Sequence, residues 1–412
     1  MPTADVKRLH NVGSSERAAW ISDDSVRGLN LKEGLDFSIE EYRRRHDALG
    51  QQLAANNLDA LLVTKYSNVR YLTGFQTFAW NAPVAIATPA DYVLCVVEDD
   101  VPLALIKSCA DIVWHYGNED DWIEPAAKQI RGLLHSGARM GFNGVDGMTP
   151  ARLLRALGGA GLDVVDSGQL VESCRLTLSA EEQTKVRRAA VQTAQGLRAA
   201  VAEARRGPAD DSSIAAALLA GLADGTDAVT RGEVVVASGW YGAITHAIRG
   251  RGRIERGTTT FLEFAGSAAD YCAPVMRTLC HGEPPSDVRH LDDLARTALD
   301  AALQHLAAGV PASEVARKCM AALRIDDPRI FFHRNFGYPI GMGQRTSWMD
   351  NAPFHIVTGN HEQIKPGMAF HIPTSMVLVG AATVAHSQTV IVHEEDLEIV
   401  TDSCGPAELI AV

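Results

Sequence analysis

The stretch GTTTFLEFAGSAADYCAPVMRT, residues 257–278, decides how the rest of the chain is read. Residues 258–264 are a short β-branched and aromatic run after a glycine, which is a strand signal. Gly266 is read as a tight turn, and 271–278 as a second, mostly apolar strand with Arg277 near its end. The pair predicts a hairpin that carries one carboxylate, Glu263, on an otherwise apolar strand. A carboxylate in such a place is costly to bury unless it is paired, protonated or used. A glutamate on an edge strand facing water is the alternative that this stretch leaves open.

Further motifs lie on both sides of the hairpin, in a fixed order. Upstream are SAEEQTKVRRAAVQTAQGLRAAVAEARRG (179–207) and ASGWYGAITHAIRGRGRIERG (237–257); downstream are FGYPIGMG (336–343) and KPGMAFHIP (365–373). Together they span about 179–392. In that order they resemble the catalytic domain of the pita-bread family, which includes methionine aminopeptidase, prolidase and creatinase. The resemblance implies an α+β protein with a pita-bread catalytic domain at 179–412, its helices outside a curved antiparallel sheet. A smaller, creatinase-like α/β domain is expected at 37–175, preceded by an arm at 1–36.

The peptidases of that family hold two divalent metals with two Asp, one His and two Glu. Here the first Asp position is Glu263, the second is Pro274, and the His position is Tyr338. The remaining Glu positions fall at or beside Pro373 and at Ser387 or Gln388. Hard divalent metals need several oxygen or imidazole ligands in fixed geometry, which one glutamate cannot supply. No metal, no other cofactor and no metallopeptidase activity are therefore expected. A Glu, a Pro and a Tyr at the positions of Glu263, Pro274 and Tyr338 resemble the metal-free branch, namely creatinase and, more closely, ectoine hydrolases.

That resemblance implies roles for particular residues. His246 is expected as the acid/base group, since an imidazole titrates near neutral pH. Glu263 either attacks the substrate carbon and forms a covalent intermediate, or holds a cationic carbon or activates water. Tyr338 orients the intermediate or donates a hydrogen bond, with a packed core aromatic as the competing reading. His371, Gln388 and Asp270 are expected pocket groups, and His355 is a weaker candidate. The metal-free relatives grip the substrate carboxylate with an Arg at a position that falls near Val357 here; Arg345 is a candidate replacement. Trp80, with Phe75 and Phe78, is read either as a lid over a partner subunit's site or as ordinary packing. Arg277 is expected to be structural.

The 412 residues suffice for two domains, and 46% hydrophobic with 21% charged residues is ordinary for a globular chain. The net charge of −12 comes with no basic face; Arg249, Arg251, Arg253 and Arg256 form only a short run, which argues against nucleic acid. No apolar run approaches membrane-spanning length, and the start lacks a signal-peptide core, so a cytoplasmic protein without a membrane partner is expected. Seven cysteines without a Cys-x-x-Cys pair fit reduced thiols, with Cys272 near the site read as a packed core residue or, less simply, a nucleophile.

Along the chain, Ser38 followed by Glu40 and Glu41 predicts a helix running to Ala55, and Ser179 with Glu181 and Glu182 predicts another running to Ala204. Strands are predicted at 60–64, 83–87, 92–97, 140–143 and 162–165, with helices at 121–134 and, capped by Thr149, at 149–157. A linker is expected near 172–179. Apolar residues at Leu291, Leu294, Ala298, Ala302 and Leu306 predict a further helix, ended by Gly309 and Pro311. Strands at 369–372, 375–378 and 389–392 close the chain. The expected function is metal-independent hydrolysis of an amidine-, guanidine- or amide-like C–N bond in a small polar molecule, by a homodimer. A biosynthetic enzyme of the same fold, or a non-catalytic binding homologue, are the alternatives.

Overall fold

The structure, a computed structural model, describes residues 8–13, 34–78, 83–145, 147–224, 234–245, 252–343, 347–350 and 353–412. The chain divides into two compact units, residues 1–174 and 175–412.

The first unit is a seven-stranded mixed sheet with helices. Its strands are β1 (Arg8–Asn11), β2 (Ala60–Val63), β3 (Val84–Ala87), β4 (Tyr92–Val97), β5 (Ile112–Tyr116), β6 (Arg139–Phe142) and β7 (Asp163–Asp166), in the order β1-β5-β4-β3-β2-β6-β7. β3 is antiparallel to both its neighbours, and the other pairs are parallel. Its helices are α1 (Ile39–Ala55), α2 (Tyr66–Thr73), α3 (Val101–Lys107), α4 (Ile123–Leu133), α5 (Ala151–Gly159) and α6 (Leu170–Cys174). As expected, Ser38 Oγ accepts from the Glu41 amide and starts α1.

Three sequence expectations need correction here. Residues 8–11, read as part of an arm, pair with β5 from Arg8 opposite Ile112 to Asn11 opposite His115. A short edge strand pairs through its backbone and so needs no periodic side-chain pattern. Thr149 does not cap α5, whose N-cap is Pro150; its hydroxyl lies 2.7 Å from that of Thr64. Glu172 belongs to α6 rather than to a linker. It is 1% exposed, and its Oε1 accepts from Lys65 Nζ (3.1 Å) and Asn143 Nδ2 (2.9 Å).

The second unit begins with α7 (Ala180–Ala204), closed at its start by a reciprocal capping box of Ser179 and Glu182. After it come α8 (Ser212–Ala223), β8 (Val235–Ser238), α9 (Gly239–Gly242), β9 (Thr259–Ala268) and β10 (Tyr271–Cys280). Then come α10 (Ser286–His305), α11 (Ala312–Ala322), β11 (Ile330–Phe331) and β12 (Tyr338–Pro339). The unit closes with β13 (Ala369–Leu378), β14 (Ala382–Val392), β15 (Leu397–Ile399) and β16 (Ile410–Ala411). One sheet has the order β16-β10-β9-β8; the other runs β11-β13-β14-β15, with β12 also paired to β13.

Each sheet is built on a long antiparallel hairpin whose outer face is covered by helices. Leu197, Leu218 and Leu222 of α7 and α8 pack on Leu262, Phe264 and Val275 of the first hairpin. Leu291, Leu294 and Ala298 of α10 pack in one core with Phe370, Ile372, Val384 and Val390 of the second. Each fully buried leucine or phenylalanine in these cores contributes about 1.5–3 kcal/mol relative to its exposed state.

The first hairpin does not turn at Gly266. β9 runs through that glycine, and the turn is made by Ala269 and Asp270, both at positive φ (51° and 65°), between Ala268 and Tyr271. Gly266 is needed for a different reason. A Cβ there would stand 2.3 Å from the Ala189 carbonyl oxygen of α7, while its amide donates to Thr193 Oγ1 at 2.9 Å. Helix and strand therefore touch backbone to backbone. The second hairpin also differs from expectation: 369–378 is one strand that passes through Pro373 without a break.

Candidate active site

Alternation along the strands sets the inner faces of the two hairpins. Leu262 and Phe264 point into the helix-covered core, so Glu263 between them points to the opposite, inner face. It pairs in register with Val235 of β8 and Met276 of β10. By the same rule His371, between Phe370 and Ile372, and Ser387, out of phase with Val384 and Val390, face inward from β13 and β14. Tyr338 of β12 lies opposite His371.

These residues form a hydrogen-bonded chain that ties the two hairpins together. The Met276 amide donates to Ser387 Oγ (2.5 Å), which lies 2.7 Å from His371 Nε2. His371 Nδ1 is 2.6 Å from Tyr338 Oη, which also accepts from the Trp348 indole N–H at 2.9 Å. Trp348 is held near the chain by its segment: Arg175 donates to the Met342 carbonyl (2.5 Å) and forms an ion pair with Asp350.

Glu263 stands outside that network. It is part-exposed, and among the described residues no group donates to its carboxylate. The loss of water around it pushes the carboxyl from 4.5 up to about 7. Tyr338 is raised well above the ordinary tyrosine value, first by burial and then by the negative charge of Glu263, so its hydroxyl stays protonated. Burial, followed by the positive charge of His333 and Arg277, pushes His371 down to about 3, so its ring is neutral at neutral pH. The site thus holds a carboxyl poised to titrate near neutrality beside a permanently protonated phenol and a neutral imidazole.

The other expected site residues are placed less centrally or lie elsewhere. His246, Arg345 and Trp80 lie outside the described residues. Both ring nitrogens of fully buried His371 are engaged by Tyr338 and Ser387, so it reaches the inner face only through Tyr338. Gln388 points to the helix side of β14, and its Oε1 accepts from Thr401 Oγ1 at 2.6 Å. Asp270 sits in the hairpin turn beyond Ala268, the end of a stretch of β9 that runs about 17 Å from Glu263 at roughly 3.4 Å per residue. His355 lies 3.0 Å from Asn335 Nδ2. Phe75 is buried in the first unit, whereas Phe78 is exposed. Cys272 is buried, and its thiol donates to the Asp270 carbonyl at 3.6 Å.

Arg277 is structural, as expected. Fully buried, it donates to the carbonyls of Met276 (2.9 Å), Ser387 (2.6 Å) and Gly405 (3.2 Å). Ser387 and Trp348 are the members of the network that sequence reasoning did not assign a role in the chemistry. Nothing local marks Trp348, while Ser387 stood out only as a place where relatives carry a metal ligand.

Among the described residues, the donor set on the inner face does not fit a two-metal centre. Pro274 and Pro373 bring no side-chain oxygen, Tyr338 is held protonated, and Ser387 already accepts from an amide. Among the described residues, no group of three or more His, Cys, Asp or Glu is arranged to hold a metal ion.

Residues 184–402 match the model of metallopeptidase family M24, and residues 45–177 match the creatinase/prolidase N-terminal domain. The chain belongs to family M24. Among curated M24 relatives, the probable dipeptidase PepE of Mycobacterium tuberculosis is 26% identical over 384 residues, covering 91% of this chain and 98% of that protein. The ectoine hydrolase of Halomonas elongata is 24% identical over 374 residues, covering 83% and 90%. Among solved structures, the prolidase of Thermococcus sibiricus superposes with a TM-score of 0.79 at 19% identity, covering 91% of this chain and all of that one. This M24 protein therefore has the pita-bread fold with a creatinase-type N-terminal domain, and the family relationship supports a hydrolase. No helix among the described residues is long and apolar enough to cross a membrane.

Proposed function

We propose that this M24 protein is a metal-independent hydrolase of a C–N bond in a small polar molecule, of the amidine, guanidine or amide type. The observation that carries the reading is Glu263: a carboxyl with no donor among the described residues, titrating near 7, on a face whose neighbouring groups are a poor metal set. Such a group is suited to attack or stabilise an electron-poor carbon, or to activate water beside it. Water adds across the bond: oxygen ends on carbon, and hydrogen ends on the leaving nitrogen. His246 is assigned the delivery of that proton. The name of the Halomonas elongata relative, ectoine hydrolase, supports this class of substrate. Cytoplasmic location and a homodimer, with the first unit near the partner's site, are part of the proposal.

Intact-mass measurement on protein incubated with ectoine and a panel of cyclic amidines and guanidines tests the reading. A substrate-sized adduct, or turnover, that disappears in Glu263→Gln is the expected result. A second reading, a metallopeptidase, is favoured by the names of the dipeptidase and prolidase relatives. Metal analysis of the purified protein separates the two: about two equivalents of a divalent metal per chain, with dipeptide cleavage, would overturn the metal-independent proposal.

A further inference from the structure

The network around Tyr338 has a hydrogen to spare. Its two ends, the Met276 amide and the Trp348 indole, can only donate. Ser387 and Tyr338 bring one hydroxyl hydrogen each, and neutral His371 brings one ring N–H. Five hydrogens thus serve the four contacts Met276–Ser387, Ser387–His371, His371–Tyr338 and Tyr338–Trp348. One of them must point away from the chain.

Two arrangements satisfy the contacts. With the His371 hydrogen on Nε2, the imidazole donates to Ser387, Tyr338 donates to Nδ1, and the hydroxyl hydrogen of Ser387 is left over. With it on Nδ1, Ser387 donates to Nε2, the imidazole donates to Tyr338, and the hydroxyl hydrogen of Tyr338 is left over. Ser387 is 0% exposed, and among the described residues its hydroxyl meets only the Met276 amide and His371. Stranding a hydrogen there leaves a buried donor unsatisfied. Tyr338 Oη can instead accept from His371 and Trp348 together and still donate, and Tyr338, 6% exposed and paired with His371 on β13, shares the inner face with Glu263.

We propose that Ser387 holds His371 as the Nδ1–H tautomer, so that Tyr338 presents its hydroxyl hydrogen to a lone pair on the bound ligand. Resting on the function proposed above, this narrows the substrate to molecules that carry a hydrogen-bond acceptor beside the electrophilic carbon facing Glu263. A carbonyl, a carboxylate or the leaving nitrogen itself would serve. Tyr338 is then the group that touches substrate, and His371 and Ser387 are positioning residues acting through it. Their arrangement is fixed before any ligand arrives, which is what makes such a donor effective when charge develops.

The tautomer can be read without a substrate. Long-range proton–nitrogen correlation spectra of the full chain, labelled with nitrogen-15 only in histidine, distinguish the two forms, and His371→Gln identifies the signals by their loss. Protonation on Nδ1 is expected, and protonation on Nε2 would overturn the proposal by placing the spare hydrogen on Ser387. Should His371→Gln fail to fold, neutron diffraction from the perdeuterated wild-type protein locates the same hydrogen. In Ser387→Ala the imidazole loses its donor at Nε2, so a shift towards Nε2–H is expected; an unchanged Nδ1–H form would remove Ser387 from the mechanism. None of these readings depends on turnover, so a failed adduct experiment and a failed tautomer remain distinguishable.

Discussion

Glu172 in the first unit and Glu263 in the second are both glutamates largely withdrawn from water, and their surroundings treat them in opposite ways. Glu172 is met by the ammonium of Lys65 and the amide of Asn143. Glu263 is met by no donor among the described residues and is left to hold its proton up to about pH 7. A compensated carboxylate is a fastening. An uncompensated one raises the free energy of the folded chain, and it makes sense where a ligand supplies what the protein withholds.

The comparison breaks most visibly in catalysis. Glu263→Gln is expected to lower turnover of whichever panel substrate is accepted by about 10⁴-fold or more, the scale for loss of a group in the reacting set. The same substitution should not reduce stability. Because the folded carboxyl is raised above its unfolded 4.5, its ionisation disfavours the fold: the wild type is at its most stable, with respect to this group, below 4.5. That advantage is lost as pH rises towards about 7. The stability of Glu263→Gln relative to wild type should therefore grow between pH 4.5 and 7 and then level off, as followed by denaturant unfolding across that range.

Glu172→Gln should behave in the reverse manner, costing about 3–5 kcal/mol because the Lys65 charge is left buried without its partner. Replacing both, as Lys65→Met with Glu172→Leu, is expected to recover most of that loss. Failure to recover would mean that the pair is more than a fastening. Next in size, Gly266→Ala drives a methyl group towards the Ala189 carbonyl and should cost about 3 kcal/mol, near the upper end for overpacking. Ser387→Ala strands the Met276 amide and should cost about 1–3 kcal/mol, read as a fall in the urea midpoint.

The same contrast explains what could be seen in the sequence. Glu263 was legible because a single acid in FLEF breaks a strand pattern, and the hairpin, the long helices and their caps were legible from local spacing and cap chemistry. Glu172 was hidden: its partner Lys65 lies 107 residues away, and no local pattern announces a pair made by the fold. The Ser387–His371–Tyr338–Trp348 chain was only half visible for that reason, since the motifs point to Tyr338 and His371 but not to the loop that brings up Trp348. Gly266 was read as a turn because a glycine in a strand pattern signals either a bend or a close approach, and only the neighbouring helix decides between them. The fold itself also leaves function open.

The Met276 amide has one more consequence. In its place in β10 it bonds to a serine hydroxyl of the opposite hairpin rather than to a neighbouring strand. Its exchange with heavy water is therefore blocked only while the two hairpins stay together. Fraying of the strand it belongs to would expose its ladder neighbours first, whereas a parting of the hairpins would release this amide together with that of Ala385, which donates to Thr278 Oγ1 across the same gap. It is a built-in clock for how often the inner face opens.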